Sequence, residues 1–363
     1  MHIVSCGGTP HAISIERKGG LIMLQRAETM KSPITGGRMT LEWEWREMEF
    51  RKETWRVMFP YYKCADTGEQ FTTTDSDGVW LAQVRNQYCR KYGIPYMDEI
   101  VAVRERYGLS AVKMSAILGF GPNQWRKYEQ EEVPNVSNGR MIRSIMNPKV
   151  FLDMVDSARE VLTDREYEKI RTRVQQLIAD SDRYHIEQYE TKRVFAVARG
   201  PENGYGQLSL TRLKNVMLFV LERSDEVWTT KMNKLLFYID FMAYRERGMA
   251  ITGLSYRAID FGPVPERWER VYSQFDEVRQ ETRAVGDFEG NVLTANVKAD
   301  KSVFSAEELE LMERVCRELG GCSSRMLSDM SHQEKGWIEN HQQHAMIPFE
   351  DAFALHPSRL VGR

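Results

Sequence analysis

Residues 109–129 read LSAVKMSAILGFGPNQWRKYE, and this stretch carries the most informative local pattern in the chain. Ser110 is a suitable N-cap for a short helix in which Met114 and Ile117 recur at the spacing of one buried face. Gly119 is placed to end that helix, and the proline three residues later suits the first turn of a second helix. The pattern predicts two short helices joined by a glycine turn, which is the layout of a helix-turn-helix.

The second of these helices is rich in side chains that can read DNA bases. Asn and Gln can bond the edge of adenine, and Arg and Lys can bond the edge of guanine, in the major groove. The predicted DNA-binding residues are Asn123, Gln124, Arg126, Lys127 and, on the first helix, Lys113. Trp125 and Tyr128 are predicted to pack inward instead. The alternative is an ordinary helical hairpin with a solvated, charged face.

The sequence on both sides of this stretch predicts a mainly helical α+β protein. Helices are expected at 78–91, 97–107 and 163–182, separated by glycine, proline and capping residues. Upstream, residues 41–46 and 55–61 alternate apolar and polar side chains, which predicts two strands of a small antiparallel sheet. A sheet of this size is marginal alone, so another element should pack on it.

Residues 199–208, RGPENGYGQL, form the best candidate linker because they hold three glycines and a proline. Beyond this linker the pattern again predicts helices with short β elements between them. The expected elements are helices at 213–221, 231–247 and 305–319, a rigid turn at 261–265 and a hairpin around 289–291.

We expect a small β module, a helix-turn-helix bundle and an α+β domain along the chain. The predicted limits are 1–29 for a disordered tail, 30–75 for the β module, 76–160 for the DNA-binding bundle, 161–207 for a connecting helix and linker, 208–350 for the α+β domain and 351–363 for a second tail.

Composition limits the functional classes. Lys and Arg number 50 against 52 Asp and Glu, so the net charge is −2 and any nucleic-acid binding must be local to one part of the chain. The five cysteines are scattered and odd in number, unlike a disulfide framework. The sequence shows neither a signal peptide nor a run of about 20 apolar residues. We expect a cytoplasmic protein with no membrane partner.

The 109–129 stretch resembles the helix-turn-helix of XRE-like regulators and is most similar to that of MqsA-type antitoxins. In those antitoxins an Asn followed four positions later by a basic residue reads bases, and Asn123 and Lys127 hold these places here. The resemblance implies that the motif binds operator DNA and represses transcription, with the chain acting as a dimer on a palindromic site.

The resemblance extends upstream, where such antitoxins carry a zinc ribbon with two Cys-x-x-Cys knuckles. Here Ser32 and Thr35 occupy the places of the first knuckle, and Cys64 and Thr67 those of the second. Neutral hydroxyls are poor ligands for a structural zinc, which needs four strong donors. We therefore expect a zinc-ribbon relic held by hydrogen bonds and the tryptophan-rich sheet, with no metal and no other cofactor.

Three segments of the C-terminal half resemble the Panacea (SocA-like) domain, which is known from antitoxins. They are MNKLLFYIDF at 232–241, AIDFGPVP at 258–265 and SHQEKGW at 331–337, in the order in which that domain carries them. The resemblance implies an α+β domain that binds and neutralises a protein toxin, and such interfaces use aromatic and Arg anchors. The candidate toxin-binding residues are Arg257, Phe261, Trp268 and Tyr272.

The last two of these candidates, Trp268 and Tyr272, have an alternative role in the hydrophobic core. Trp268 and Tyr272 lie four residues apart on one predicted helical face, so either could belong to the core instead.

Together the resemblances imply an antitoxin of a type II toxin–antitoxin system, with a partner toxin, operator DNA and a homodimeric state. The alternative is a one-component transcription regulator whose C-terminal domain senses a small ligand. A third hypothesis is a metalloenzyme that uses His332, His341 and His344 with Glu334, but the last two histidines lack the i, i+4 spacing of a zinc protease. We expect no catalytic residues and no enzymatic activity.

Overall fold

The computed structural model of the protein describes residues 29–130, 132–285 and 288–355. Within these residues the chain is mainly helical with small antiparallel sheets, which confirms the predicted mainly helical α+β class. The tails predicted at 1–29 and 351–363 fall largely outside the described residues.

The fold divides into two compact units, and the second is inserted in the sequence of the first. The first unit takes in the chain up to Val84 and resumes at Val194, and the second unit is Arg85–Arg193. Residues of the predicted β module at 30–75 and of the predicted C-terminal domain at 208–350 both lie in the first unit.

The N-terminal part of the first unit is an antiparallel sheet in the order β1-β2-β3-β4. Its strands are β1 (Thr29–Lys31), β2 (Arg38–Phe50), β3 (Glu53–Cys64) and β4 (Gln70–Phe71). Strands β2 and β3 pair along their length, from Met39 opposite Cys64 to Phe50 opposite Glu53. The alternation predicted for 55–61 is confirmed, except that Pro60 is buried beside Phe59 and Tyr61. Its buried side chains are Trp55, Val57, Phe59 and Tyr61.

The sheet is covered by other parts of the same unit, as its small size requires. Helix α1 (Thr74–Tyr92) packs on it, and the amide of Gln83 bonds both the N–H and the carbonyl of Met58 at 2.9 Å. The ring of Trp43 in β2 lies 5.2 Å from the ring of Phe353, near the end of the described chain. The sheet and the C-terminal part therefore share packing contacts.

The second unit is a bundle of helices around one apolar core. Its helices after α1 are α2 (Met97–Tyr107), α3 (Ala111–Ile117), α4 (Gln124–Gln130), α5 (Val136–Ser144), α6 (Pro148–Ser157), α7 (Asp164–Ala179) and α8 (Ser181–Val194). All of α2–α7 contribute to the core, where Tyr107 stacks on Phe151 at 3.9 Å. The predicted cap at Ser110 is confirmed, and Thr163 caps the charged helix α7.

The C-terminal part of the first unit mixes helices with short antiparallel pairs. Its elements are α9 (Leu210–Arg223), α10 (Thr229–Arg247), β5 (Tyr256–Ile259), β6 (Gly262–Pro265), α11 (Trp268–Ser273), β7 (Val278–Val285), β8 (Phe288–Ala295), α12 (Ala306–Leu319), α13 (Ser324–Ser331), α14 (Lys335–Asn340) and a 3-10 helix at Phe349–Ala354. Strand β5 pairs with β6, and β7 pairs with β8.

Helix α10 is the centre of this part. Every residue from Lys231 to Arg245 is buried, as expected of a helix surrounded by other elements. The carboxylate of Asp240 accepts a backbone N–H from Thr252 at 2.8 Å and the hydroxyl hydrogen of Tyr256 at 2.7 Å. Burial raises the pKa of Asp240, while these hydrogen bonds stabilise its charged form.

Two predicted connections differ from the observed ones. The glycines of the predicted linker at 199–208 are buried, and a Cβ on Gly206 would lie 2.7 Å from backbone atoms of Gly253. These glycines allow close backbone packing, which composition does not distinguish from flexibility. The hairpin predicted around 289–291 is present, but those residues lie within β8, where a partly exposed strand accommodates the glycine.

Candidate functional site

Helices α3 and α4 position the predicted DNA-reading side chains. The Oγ of Ser110 accepts the N–H of Lys113 at 3.2 Å, which caps α3. The Oγ of Ser115 accepts the backbone N–H of Trp125 at 3.0 Å and joins α3 to α4. Trp125 and Tyr128 are buried in the core of the second unit, as predicted. Helix α4 is therefore anchored on its inner side and presents its outer side to solvent.

Three of the predicted DNA-binding side chains are exposed around the start and outer face of α4. Asn123 precedes the helix with a φ of +62°, a left-handed conformation that Asn tolerates, and Arg126 and Lys127 follow one turn later. Gln124 is half-buried, and its Nε2 donates to Oε1 of Glu132 at 3.2 Å. The spacing of the three exposed residues places them on one surface.

Lys113 differs from these three because it has a carboxylate partner on α7. Its Nζ lies 2.9 Å from Oε1 of Glu166. The hydrogen bond from Lys113, followed by those from Thr163, lowers the pKa of Glu166 to about 2. On α4 itself, the carboxylate of Glu129 pairs with Arg104. The outer face of α4 therefore carries basic side chains, while Glu129 and Glu166 are each paired with a cation within the unit.

The two knuckle-like segments lie side by side at the sheet. The Oγ1 of Thr35 is 3.6 Å from Sγ of Cys64 and 3.3 Å from Oδ2 of Asp66. The Oγ of Ser32 accepts backbone N–H groups two and three residues further along, each at 3.2 Å. Hydrogen bonds from Thr67 and then Thr35 lower the pKa of the Cys64 thiol to about 7. Hydrogen bonds thus join the two segments.

This donor set does not fit a structural zinc ion. One thiol stands among neutral hydroxyls, whereas a zinc knuckle needs four strong donors. Within the ranges that the structure describes, no group of three or more His, Cys, Asp or Glu residues is arranged to hold a metal ion.

In the C-terminal part, segments distant in sequence converge beneath the turn between β5 and β6. Lys234 of α10 is fully buried, and its Nζ donates to the carbonyl of Pro263 in β6 at 3.0 Å. The Nε1 of Trp337 in α14 donates to the carbonyl of Ile259 in β5 at 2.8 Å. Both strands of the turn are therefore held from the interior.

Gly262 allows this close packing. Its φ is +95°, and a Cβ at this position would lie 2.7 Å from Cε of Lys234 and 2.7 Å from Oγ of Ser331. A residue with a side chain would meet both a strained backbone and occupied space. Deeper in the cluster, the hydroxyl of Tyr238 donates to Oε1 of Glu334 at 3.4 Å. All three sequence segments thus meet at this turn.

Burial in this cluster shifts the pKa values of two of its titratable groups, Lys234 and His332. Burial lowers the pKa of Lys234 to about 7, and burial followed by the nearby Lys234 charge lowers the pKa of His332. The ring of His332 stacks on Trp337 at 4.0 Å, and Trp337 stacks on His341 at 4.1 Å. Sequence reasoning did not single out Lys234, although a lysine within an apolar helical run signals a buried polar contact.

The four candidate toxin-binding residues separate into surface and core. Phe261, at the tip of the turn, is 70% exposed, and Trp268 is 36% exposed. Arg257 bonds both carboxylate oxygens of Glu266 at 2.7 Å and keeps part of its side chain at the surface. Tyr272 is only 1% exposed and hydrogen-bonds within the core. Tyr272 is therefore a core residue, the role that its spacing left open.

Comparison with protein families identifies a known domain over these segments. Residues 232–338 match the family described as antitoxin SocA-like, Panacea domain. The match spans all three converging segments and confirms the predicted resemblance for this part of the chain. It covers neither the knuckle-like segments nor α3 and α4, whose functional interpretation stays a prediction.

A comparison with curated proteins gave no match. In the part of the chain that the structure describes, no helix combines the length and the apolar character needed to cross a membrane.

Proposed function

We propose that the protein is the antitoxin of a type II toxin–antitoxin pair and that its C-terminal part neutralises a partner protein toxin by direct binding. The observation that carries the proposal is the family match at 232–338, whose segments converge on one exposed turn. Neutralisation of this kind requires a binding surface and no catalytic group.

Phe261 is the proposed anchor of the toxin interface. Its ring is exposed, while the turn that carries it is bonded to Lys234 and Trp337. A ring held in advance loses little conformational freedom on binding, and exposed aromatic rings are frequent interface hot spots. Arg257 and Trp268 are proposed to contribute to the same interface, whereas Tyr272 supports it from the core.

Coexpression of the full chain with the neighbouring toxin gene tests this proposal. Wild type should restore growth, and Phe261→Ala should raise the toxin Kd about 30-fold or more, because losing a hot-spot ring costs about 2 kcal/mol or more. Val297→Ala is the matched control, since it removes another exposed apolar side chain from the same unit. That control should change the Kd by less than about threefold.

Two results would reject the toxin-binding proposal. One is growth protection that maps to residues 1–160 while the folded C-terminal part is inactive. The other is a toxin Kd that Phe261→Ala leaves at the wild-type value.

We further propose that α3 and α4 bind operator DNA and repress the operon, with the chain acting as a homodimer. The exposed Asn123, Arg126 and Lys127 on an anchored short helix support this role. Dimeric helix-turn-helix proteins read half-sites about one DNA turn apart, so a palindromic operator is expected upstream of the gene. Fluorescence anisotropy with that upstream DNA, at several salt concentrations, measures the binding.

The alternative function is a one-component regulator whose C-terminal part senses a small ligand. One feature favours it, a cleft of about 670 Å³ between α9 and β8. Its lining includes Leu218, Leu221, Arg283 and Val292. A chain that binds no toxin, but whose operator affinity changes with a small ligand, would establish this alternative.

A further inference from the structure

In helix α8, the last helix of the second unit, most of the side chains that the structure describes are exposed. Ile186 and Tyr189 are each 63% exposed, although both carry large apolar surfaces. A 14-residue helix with so little packing is marginally stable in water, and neighbouring exposed apolar residues indicate a binding surface. A partner that covers these two residues is therefore expected.

The surface around them has a definite charge pattern. Asp182, Ile186, Tyr189 and Arg193 follow one another at helical spacing and form one stripe, with an acid at its N-terminal end and a base at its C-terminal end. The stripe is about 16 Å long. The guanidinium of Arg193 bonds Glu190 at 3.3 Å and lies 5.9 Å from the ring centre of Tyr189, which keeps the base beside the apolar middle.

We propose that α8 pairs with α8 of a second copy of this chain in an antiparallel arrangement. A twofold axis between Ile186 and Tyr189 sets Ile186 of each copy against Tyr189 of the other. The same axis sets Asp182 of each copy against Arg193 of the other, with an ion pair at each end. A parallel pairing would bring Asp182 next to Asp182 and Arg193 next to Arg193, so the charges select the antiparallel one.

This pairing supplies the interface of the homodimer that the proposed operator binding requires. It rests on the proposed function only in that the function calls for a dimer. The test uses the full chain without DNA and without toxin. Failure of the pairing and failure of operator or toxin binding are therefore separate results.

Sedimentation velocity at several protein concentrations measures the dimer dissociation constant. Wild type should dimerise, and Ile186→Glu should raise the constant about 100-fold because it places a charge in the apolar middle. Asp182→Arg alone and Arg193→Asp alone should each raise it about tenfold, since like charges then face each other. The double reversal should return it to within about threefold of wild type.

Glu187→Arg is the matched control, because it makes the same charge change as Asp182→Arg on the other side of α8. It should leave the dissociation constant unchanged, and circular dichroism should show wild-type helix content for it. Any helix lost in the monomeric variants should not exceed the 14 residues of α8. The pairing is overturned by a wild type that stays monomeric, by a dimer that Ile186→Glu leaves intact, or by a double reversal as weak as the single ones.

Discussion

The two proposed binding surfaces are built in opposite ways. The α3–α4 surface consists of several exposed polar side chains, and its scaffold is a cap, a turn and two buried rings within 109–129. The surface around Phe261 has two exposed rings, those of Phe261 and Trp268, and the supports of its turn, Lys234 and Trp337, are far apart in sequence. At the α3–α4 surface, exposed side chains can therefore be changed with little effect on the stability of the second unit. At the Phe261 surface, the position of the ring depends on packing within the first unit, so changes beneath the turn alter stability and binding together.

The largest expected effect is complete separation of the two activities. Replacing residues 85–193 with a flexible linker should abolish operator binding and retain growth rescue, because both parts of the first unit remain. A fragment of residues 205–363 should rescue less well and melt at a lower temperature, since it loses the packing of Trp43 on Phe353. Growth assays and thermal melts measure both. Equal stability and rescue for the two chains would contradict the shared packing.

The next effect tests the packing beneath the Phe261 turn. Gly262→Ala should destabilise the first unit by about 2–4 kcal/mol, because overpacking and a strained φ act together. Gly68→Ala is the matched control, with a φ of +73° and, among the described residues, no other part of the chain within 4 Å of the new Cβ. It should cost about 1 kcal/mol. Urea unfolding measures both, and equal losses would contradict the close contact with Lys234 and Ser331.

A smaller effect is expected at the α4 surface. Asn123→Ala should weaken operator binding by about 1–3 kcal/mol and relax sequence preference, since a base-edge contact is lost. Lys127→Ala should lower the slope of affinity against salt by about one if the side chain contacts phosphate. Lys127→Ala should leave the melting temperature unchanged, because the anchoring rings Trp125 and Tyr128 are unaltered. Asn123→Ala should lower it slightly, because Ala tolerates the left-handed φ of +62° less well than Asn does.

Lys149→Ala serves as the control for this surface, because it removes an exposed lysine from α6 instead. It should leave both the operator affinity and the salt slope unchanged. A double variant, Asn123→Ala with Lys127→Ala, that binds the operator as tightly as wild type would remove α4 from the DNA interface.

The features that the sequence predicts well are those decided by neighbours along the chain. The cap at Ser110, the end of the 97–107 helix at Gly108 and the alternation of 55–61 all follow from residues within one or two turns. The same locality makes α3 and α4 readable as a helix-turn-helix before any tertiary contact is known.

The features that the sequence does not decide depend on contacts between distant segments. Trp268 and Tyr272 share a predicted helical face, yet only tertiary packing makes the first exposed and the second a core residue. The sequence does not show whether a glycine such as Gly206 belongs to a flexible linker or allows a close backbone contact, as it does here. The role of Lys234 likewise requires the position of Pro263, which local pattern cannot supply.

The smallest expected effect concerns Lys113, the predicted DNA-binding residue that has a partner within the unit. The pKa of Glu166 is lowered to about 2, first by its hydrogen bond from Lys113. Because this pKa is lower in the folded chain than the ordinary value of about 4.3, the stabilisation is present above that value and is lost as the pH falls toward 2. Lys113→Gln should therefore raise the pKa of Glu166 toward its ordinary value, and carboxyl NMR titration measures it.

The same variant sharpens the contrast between paired and unpaired basic residues at the α3–α4 surface. A phosphate that contacts Lys113 either displaces the pair with Glu166 or lies close to that carboxylate, so part of any gain from DNA is offset. Lys113→Gln should accordingly weaken operator binding less than Lys127→Ala does. An equal loss of affinity, together with an unchanged pKa of Glu166, would mean that the pair does not form in solution and that Lys113 belongs to the DNA interface with Asn123 and Lys127.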